Sequence, residues 1–244
     1  VYFFVLLRVR RKTTFVCINP EKFSLQKYIV LGVCAVGIPA AIQNLLNVTG
    51  MTILNNFTSS YGAQAVAAMG ITQKINMVPL QVAMGFSQGI MPLISYNYAS
   101  GNHRRMKETI FFTIKTLLPF LVVVSLGYFA GAGLLTRAFM DNEAIVAYGT
   151  RFLRGFCLGL PFLCMDFLAV GVFQAVGMGK AALSFAILRK IVLEIPALYL
   201  LNLLFPLYGL SYAQLVAELV LSIASVIMLA RIFRRMQRED GASS

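Results

Sequence analysis

Residues 109–131 read TIFFTIKTLLPFLVVVSLGYFAG, twenty-three positions with a single charge at Lys115. A hydrocarbon core about 30 Å thick is crossed by a helix of roughly 20 apolar residues, so this stretch has the length and composition of a transmembrane helix. Outward from it, further apolar runs lie at 28–54, 65–98, 145–172, 181–204 and 211–230, joined mostly by short connections. Backbone groups in lipid must find their hydrogen bonds within the segment. The runs are also continuous, and far longer than the roughly ten-residue alternating strands of a membrane barrel. The expected fold is all-α: a polytopic membrane protein with six transmembrane helices.

Composition points the same way. Of the 244 residues, 59% are hydrophobic and 12% charged, where a soluble domain carries roughly a quarter charged residues. The mean hydropathy is +0.78, and a water-soluble chain of this length has no way to hide so much apolar surface. The net charge of +12 reports topology first. If 8–27 is cytoplasmic, the connections on that side and the tail 231–244 hold fourteen Lys and Arg, and the opposite side holds only Arg137. That asymmetry places the C-terminus in the cytoplasm, with contact to anionic lipid as a second role. No aromatic-interleaved basic face accompanies it, so nucleic acid is not an expected partner.

Catalytic and metal chemistry are poorly supplied. Cys17, Cys34, Cys157 and Cys164 show no Cys-x-x-Cys spacing and His103 is the sole histidine, so no metal site is expected. Cys157 and Cys164 read as small core residues. There is no phosphate-binding glycine loop and no Ser/His/Asp set, so neither an enzyme nor a cofactor is expected. The apolar start Val1–Leu7, without a methionine, reads as the end of a preceding span in a longer protein.

The spans carry breakers. Pro39, Pro79, Pro92, Pro119, Pro161 and Pro196 all fall inside them, and the run Ala65–Tyr98 is too long to cross straight. Proline removes a backbone hydrogen bond and kinks a helix. Transporters use bent and interrupted helices around a cavity; inherited irregularity is the alternative. Three Gly-x-x-x-Gly steps, Gly85–Gly89, Gly127–Gly131 and Gly155–Gly159, offer close helix approach.

Polar residues inside the spans are the candidate site. A charge at the bilayer centre costs at least about 2.5–3.5 kcal/mol, and Asp166, Glu194 and Glu218 all lie within apolar runs. A carboxyl group in such surroundings is suited to binding and releasing a proton or a cation, which makes these three the coupling candidates. The alternative is structural: Asp166 and Glu218 paired with Lys74 or bonded to a neighbouring helix, Glu194 paired with Lys190 or Arg189. Gln43, Asn44 and Asn47 cluster within about one turn, and Lys74, Gln81, Gln88 and Ser95 recur every seven residues, near one helix face. Gln43, Asn44, Asn47, Lys74, Gln81 and Gln88 are the substrate-cavity candidates, although such amides also serve to tie helices together.

Residues 85–105, GFSQGIMPLISYNYASGNHRR, resemble the end of the eighth helix in multidrug and toxic-compound extrusion (MATE) transporters. Gly37-Ile38-Pro39, AVAAMGITQKI at 65–75, FQAVGMGK at 173–180, RKIVLEIP at 189–196 and Tyr208-Gly209-Leu210 are similar to the same family in the same order. The likeness covers nearly the whole chain and is strongest to the bacterial sodium- or proton-coupled drug-efflux branch. It implies the second of two six-helix lobes of a twelve-helix transporter. Residues 1–7 would then end the preceding helix, 8–27 form the cytoplasmic inter-lobe linker, 28–230 the lobe and 231–244 a basic cytoplasmic tail. The implied partners are an N-terminal six-helix lobe, the lipid bilayer and small organic cations. The implied activity is secondary-active efflux of cationic or amphiphilic drugs across the cytoplasmic membrane, in exchange for H+ or Na+, by alternating access. Asp166 falls in the helix whose acidic residue takes part in cation binding in one branch. Glu218 matches an acidic residue frequent in the twelfth helix. In the first span, Gln43, Asn44 and Asn47 are amides where some relatives use a glutamate. The alternative is a lipid-linked oligosaccharide flippase of the same superfamily. Its pyrophosphate would call for a cavity rich in Arg and Lys, for which only Lys74, Arg151 and Arg154 qualify.

Overall fold

The computed structural model describes residues 26–242. The expectations for Val1–Leu7 and for nearly all of the linker 8–27 lie outside those residues, as do positions 243–244. Two units divide the chain, Val1–Gly37 and Ile38–Ser244. The described part of the first, 26–37, is the opening of helix α1 (Lys27–Ser59). Within the second, α1 is followed by α2 (Ala63–Ala99), α3 (His103–Arg137), α4 (Glu143–Cys157) and α5 (Leu160–Ala175). Then come α6 (Gly179–Ile187), a π turn (Leu188–Glu194), α7 (Ile195–Leu204) and α8 (Gly209–Ala242). No strand occurs among the described residues.

Local chemistry sets several of these boundaries. Asn142 caps α4, its Oδ1 accepting from the amides of Ala144 at 3.1 Å and Ile145 at 3.3 Å, with Glu143 in the first turn. A side-chain acceptor and a negative charge at a helix start satisfy orphan N–H groups and the helix dipole. Large apolar side chains nevertheless stay outside: on α3, Phe112 is 70% and Val123 68% exposed. That face has the composition of a lipid contact rather than of a soluble surface.

Among the described residues, α1 from Val30, α2, α3 and α8 to Arg234 are long and apolar enough to cross a membrane. Helices α4 and α5, bent by 48° at Leu158–Gly159, make a fifth when taken together. The remaining expected span, 181–204, is occupied by α6, the π turn and α7, which follow one another without a gap. The three charges Arg189, Lys190 and Glu194 cluster in its π turn.

The prolines fall into two sets by their place in the helices. Helices α1, α2 and α3 run unbroken through Pro39, Pro79 and Pro92, and Pro119. The interruptions come instead at the first turns of α5 and α7, which hold Pro161 and Pro196; after the break at Leu158–Gly159 the N–H that Pro161 lacks would have had no helical partner. Before Pro196 the helix widens, and the Ile195 amide reaches back five residues to the Lys190 carbonyl.

Of the three glycine motifs, Gly155–Gly159 makes the close helix approach: Gly155 packs against Ser211 of α8, and a Cβ at Gly159 would stand 3.7 Å from Leu215 Cα of the same helix. A Cβ at Gly85, Gly89, Gly127 or Gly131 would meet nothing within 4 Å. Close approach also occurs outside the motifs at Gly171, against Ser87 of α2. Ser87 Oγ donates to the Phe167 carbonyl at 2.7 Å, so it is not free to move aside. Gly171→Val should therefore lower the folded stability by about 1–3 kcal/mol, read as a lower melting midpoint in detergent. An unchanged midpoint would mean that α2 and α5 are not packed this tightly. The apolar core is divided: one cluster centres on Ile94, Met106, Leu168 and Phe173, another on Met69, Phe152, Phe156 and Leu210.

Candidate functional site

Between these clusters α1, α2, α4, α5, the π turn and α8 enclose a cavity of about 420 Å³. Helix α2 contributes Gln73, Asn76, Leu80, Met84, Ser87 and Met91, every third or fourth residue along one helical face. Gln81 and Gln88 flank that stripe, and α1 adds Gln43, Asn44 and Asn47. Five of the six expected cavity residues thus line it. Lys74 is exposed and does not, nor does Ser95. A repeat of seven drifts round an α-helix, and the face that meets the cavity follows the 3.6-residue turn instead.

The amides both line the cavity and join helices. Gln174 Nε2 donates to Gln43 Oε1 at 3.4 Å, and Gln73 Nε2 to Asn55 Oδ1 at 3.2 Å. Asn76 Oδ1 is buried at the cavity wall without a hydrogen-bond partner among the described residues. Methionines 51, 77, 84 and 91 supply much of the apolar wall, and their unbranched side chains adapt to varied shapes.

Behind the cavity lies a buried charge network. Arg189, in the π turn, places Nη1 3.0 Å from Asp166 Oδ2 of α5 and Nη2 2.9 Å from Glu218 Oε1 of α8. Its guanidinium also stands 5.5 Å from the centre of the Phe167 ring. The flat fork of an arginine suits it to bridging two carboxylates. Asp166 and Glu218 do not pair with Lys74, the partner considered from the sequence; Arg189 is their cation. Its role was missed because the two acids are 23 and 29 positions away. The signal that could have found it is the Arg189-Lys190 dipeptide, two cations deep in an apolar run.

Adjacent residues on a helix point about 100° apart, and this gives the two side chains different partners. Both border the cavity, but the Arg189 guanidinium reaches the acids of α5 and α8 while the Lys190 ammonium reaches Glu194. Lys190 Nζ lies 2.7 Å from both carboxylate oxygens of Glu194. Glu194 is the single acidic residue in the cavity lining. The π turn brings both networks to one level, and such turns recur at functional sites. No group of three or more metal-ligating residues occurs among the described residues.

An apolar helical bundle with an amide-lined cavity beside a buried charge network is the architecture of a polytopic membrane protein with a polar site among its helices. Comparison with known proteins agrees: the MatE family model matches residues 39–200, and the chain belongs to the MATE family. It is 32% identical over 227 residues to the multidrug export protein MepA of Staphylococcus saprophyticus, covering 93% of this chain and 50% of that protein. MepA of Staphylococcus haemolyticus is 30% identical over 234 residues, 96% of this chain and 51% of the relative. The chain therefore spans about half the length of the curated relatives it matches. Among solved structures, the Vibrio cholerae MATE transporter VcmN in its bent form superposes with a TM-score of 0.84 at 18% identity, over 95% of this chain and 52% of that one. An outward-facing multidrug resistance MATE family transporter of the MOP superfamily gives 0.87 at 18%, over 97% and 54%. At that identity the likeness is one of fold. The relatives' names are those of transport proteins, not enzymes. The flippase alternative is not favoured: Lys74, Arg151 and Arg154 lie outside the cavity lining, and the two cations that do line it, Arg189 and Lys190, are already paired with carboxylates of the protein.

Proposed function

We infer that this chain is the C-terminal six-helix lobe of a twelve-helix antiporter that expels cationic or amphiphilic drugs in exchange for H+ or Na+. In this reading α6, the π turn and α7 together form the fifth span, and 28–230 is the lobe. The linker 8–27 and the basic tail 231–244 lie in the cytoplasm, and an N-terminal lobe completes the cavity. The MepA relatives, whose names state multidrug export, support the substrate class.

The observation that carries the coupling role is the charge count at Arg189. Two buried carboxylates share one guanidinium, which leaves a surplus negative charge in a site shielded from water. An uncompensated buried charge is costly, and one proton or one sodium ion neutralises it. Asp166 Oδ1 and Glu218 Oε2 are buried and meet no hydrogen-bond donor among the described residues, so each has an oxygen open to that ion. Glu194 already has its cation in Lys190 and is assigned to the substrate side.

The test is a cationic dye, ethidium, in vesicles holding the full-length protein. An imposed H+ or Na+ gradient should drive dye against its own gradient, and collapsing the ion gradient should stop it. Dye movement that ignores both gradients would sink the antiport reading.

A further inference from the structure

Lys190 sits at the meeting point of two spaces. It lines the large cavity, where it holds Glu194. It also borders a small void, of about 10 Å³, together with Gln43, Asn47, Asp166 and Arg189. The carboxylate on the cavity side is thus covered by an ammonium that belongs to the protein. The carboxylate on the void side, Asp166, keeps its Oδ1 without a donor. Gly50 of α1 lies directly over the pair: a Cβ there would stand 3.1 Å from Lys190 Cδ and 3.4 Å from Glu194 Oε1. The absence of a side chain at that position leaves Lys190 the room to lie flat on Glu194.

We propose that Lys190 is a tethered stand-in for the substrate's cation, and that it relays substrate binding to the coupling site. An organic cation entering the cavity takes Glu194 and displaces Lys190. The freed ammonium turns to the void and is accepted by Asp166 Oδ1. Arrival of that charge expels the proton or sodium ion held between Asp166 and Glu218. Charge balances throughout: one cation enters from the cavity, one leaves from the coupling site, and Lys190 only changes partner. The charged groups concerned are Asp166 of α5, Glu218 of α8 and Arg189, Lys190 and Glu194 of the π turn; α1 contributes only the neutral Gln43 and Asn47 to the void. A lysine suits this role because its ammonium is a compact charge on a flexible stem, unlike the fixed fork of Arg189. The relay rests on the antiport reading for its purpose, but its chemistry is a matter of binding alone.

The deciding experiment is a double-mutant cycle on ethidium affinity, measured by fluorescence with the full-length protein in detergent. With Lys190 present, Asp166→Asn removes the acceptor for the displaced ammonium. Dye binding should weaken by roughly threefold or more, as for residues in one charge network. In the Lys190→Met background the same Asp166→Asn change should leave dye affinity as it was. Lys190→Gln serves as a second background if the methionine variant does not fold. An equal effect of Asp166→Asn with and without Lys190 overturns the relay. The cycle reads no transport, so it stands apart from the vesicle test: gradient-independent dye movement would sink antiport while leaving the relay intact.

Discussion

Arg189→Leu should destabilise the folded chain by about 3–5 kcal/mol, the cost of leaving buried charge without its partner. The substitution strands Asp166 and Glu218, which are 2% and 0% exposed, with two negative charges and no cation. The expected result is loss of the monodisperse protein in detergent, or a much lower melting midpoint. Removing the two acids in the same protein, as Asp166→Asn with Glu218→Gln, should restore most of the loss, because an uncharged set of side chains has no pairing to break. An Arg189→Leu protein that melts like the wild type would mean that the three side chains are not buried together.

Asp166→Asn and Glu218→Gln, made singly in the Arg189 protein, should have the opposite pattern. Each leaves one carboxylate against one guanidinium, a neutral pair that needs no further ion. Stability should hold or rise, since a buried charge has been removed from a network whose desolvation is costly. Ion-driven dye exchange should fall by at least about tenfold, within the range expected when a coupling free energy is lost. Melting curves and gradient-driven ethidium uptake, taken on the same preparations, separate the two effects. A variant that is stable and still fully driven by the gradient would remove that carboxylate from the coupling site.

The sequence announces the helices more clearly than their irregularities. The run 109–131 lies inside α3 and the run 65–98 inside α2 because lipid demands long apolar segments, and apolarity is visible residue by residue. Bending is less legible. Pro79 and Pro92 look like breaks, yet α2 stays helical through both. The bend at Leu158–Gly159 and the π turn at 188–194 come where a proline opens the next segment. One extra residue in a turn of charged and apolar side chains leaves no mark on hydrophobic periodicity.

The cavity was legible in kind. Amides in apolar helices read as lining a cavity or tying helices together, and Gln43 and Gln174 line the cavity and bond to each other. Its register was not: the seven-residue stripe included Lys74 and Ser95 and left out Gln73, Asn76 and Gln174. Glu194 and Lys190 face each other as their spacing of four implies. The pairing of Arg189 with Asp166 and Glu218 depends on which helices are neighbours, and nothing along a single chain specifies that. A balance of charges within the apolar runs points to it, since Asp166, Glu194 and Glu218 there face the neighbouring cations Arg189 and Lys190.

The central claim is that one monovalent cation neutralises the Asp166–Arg189–Glu218 set and leaves when substrate binds. The most direct measurement is ethidium affinity as a function of H+ or Na+ concentration, in wild type and in Asp166→Asn. The account predicts that in the wild type affinity falls in direct proportion to the coupling ion, about tenfold per tenfold rise once the site is filled, and that this dependence is lost in Asp166→Asn. A wild-type affinity that stays flat across both ions, or a slope unchanged by Asp166→Asn, would contradict it.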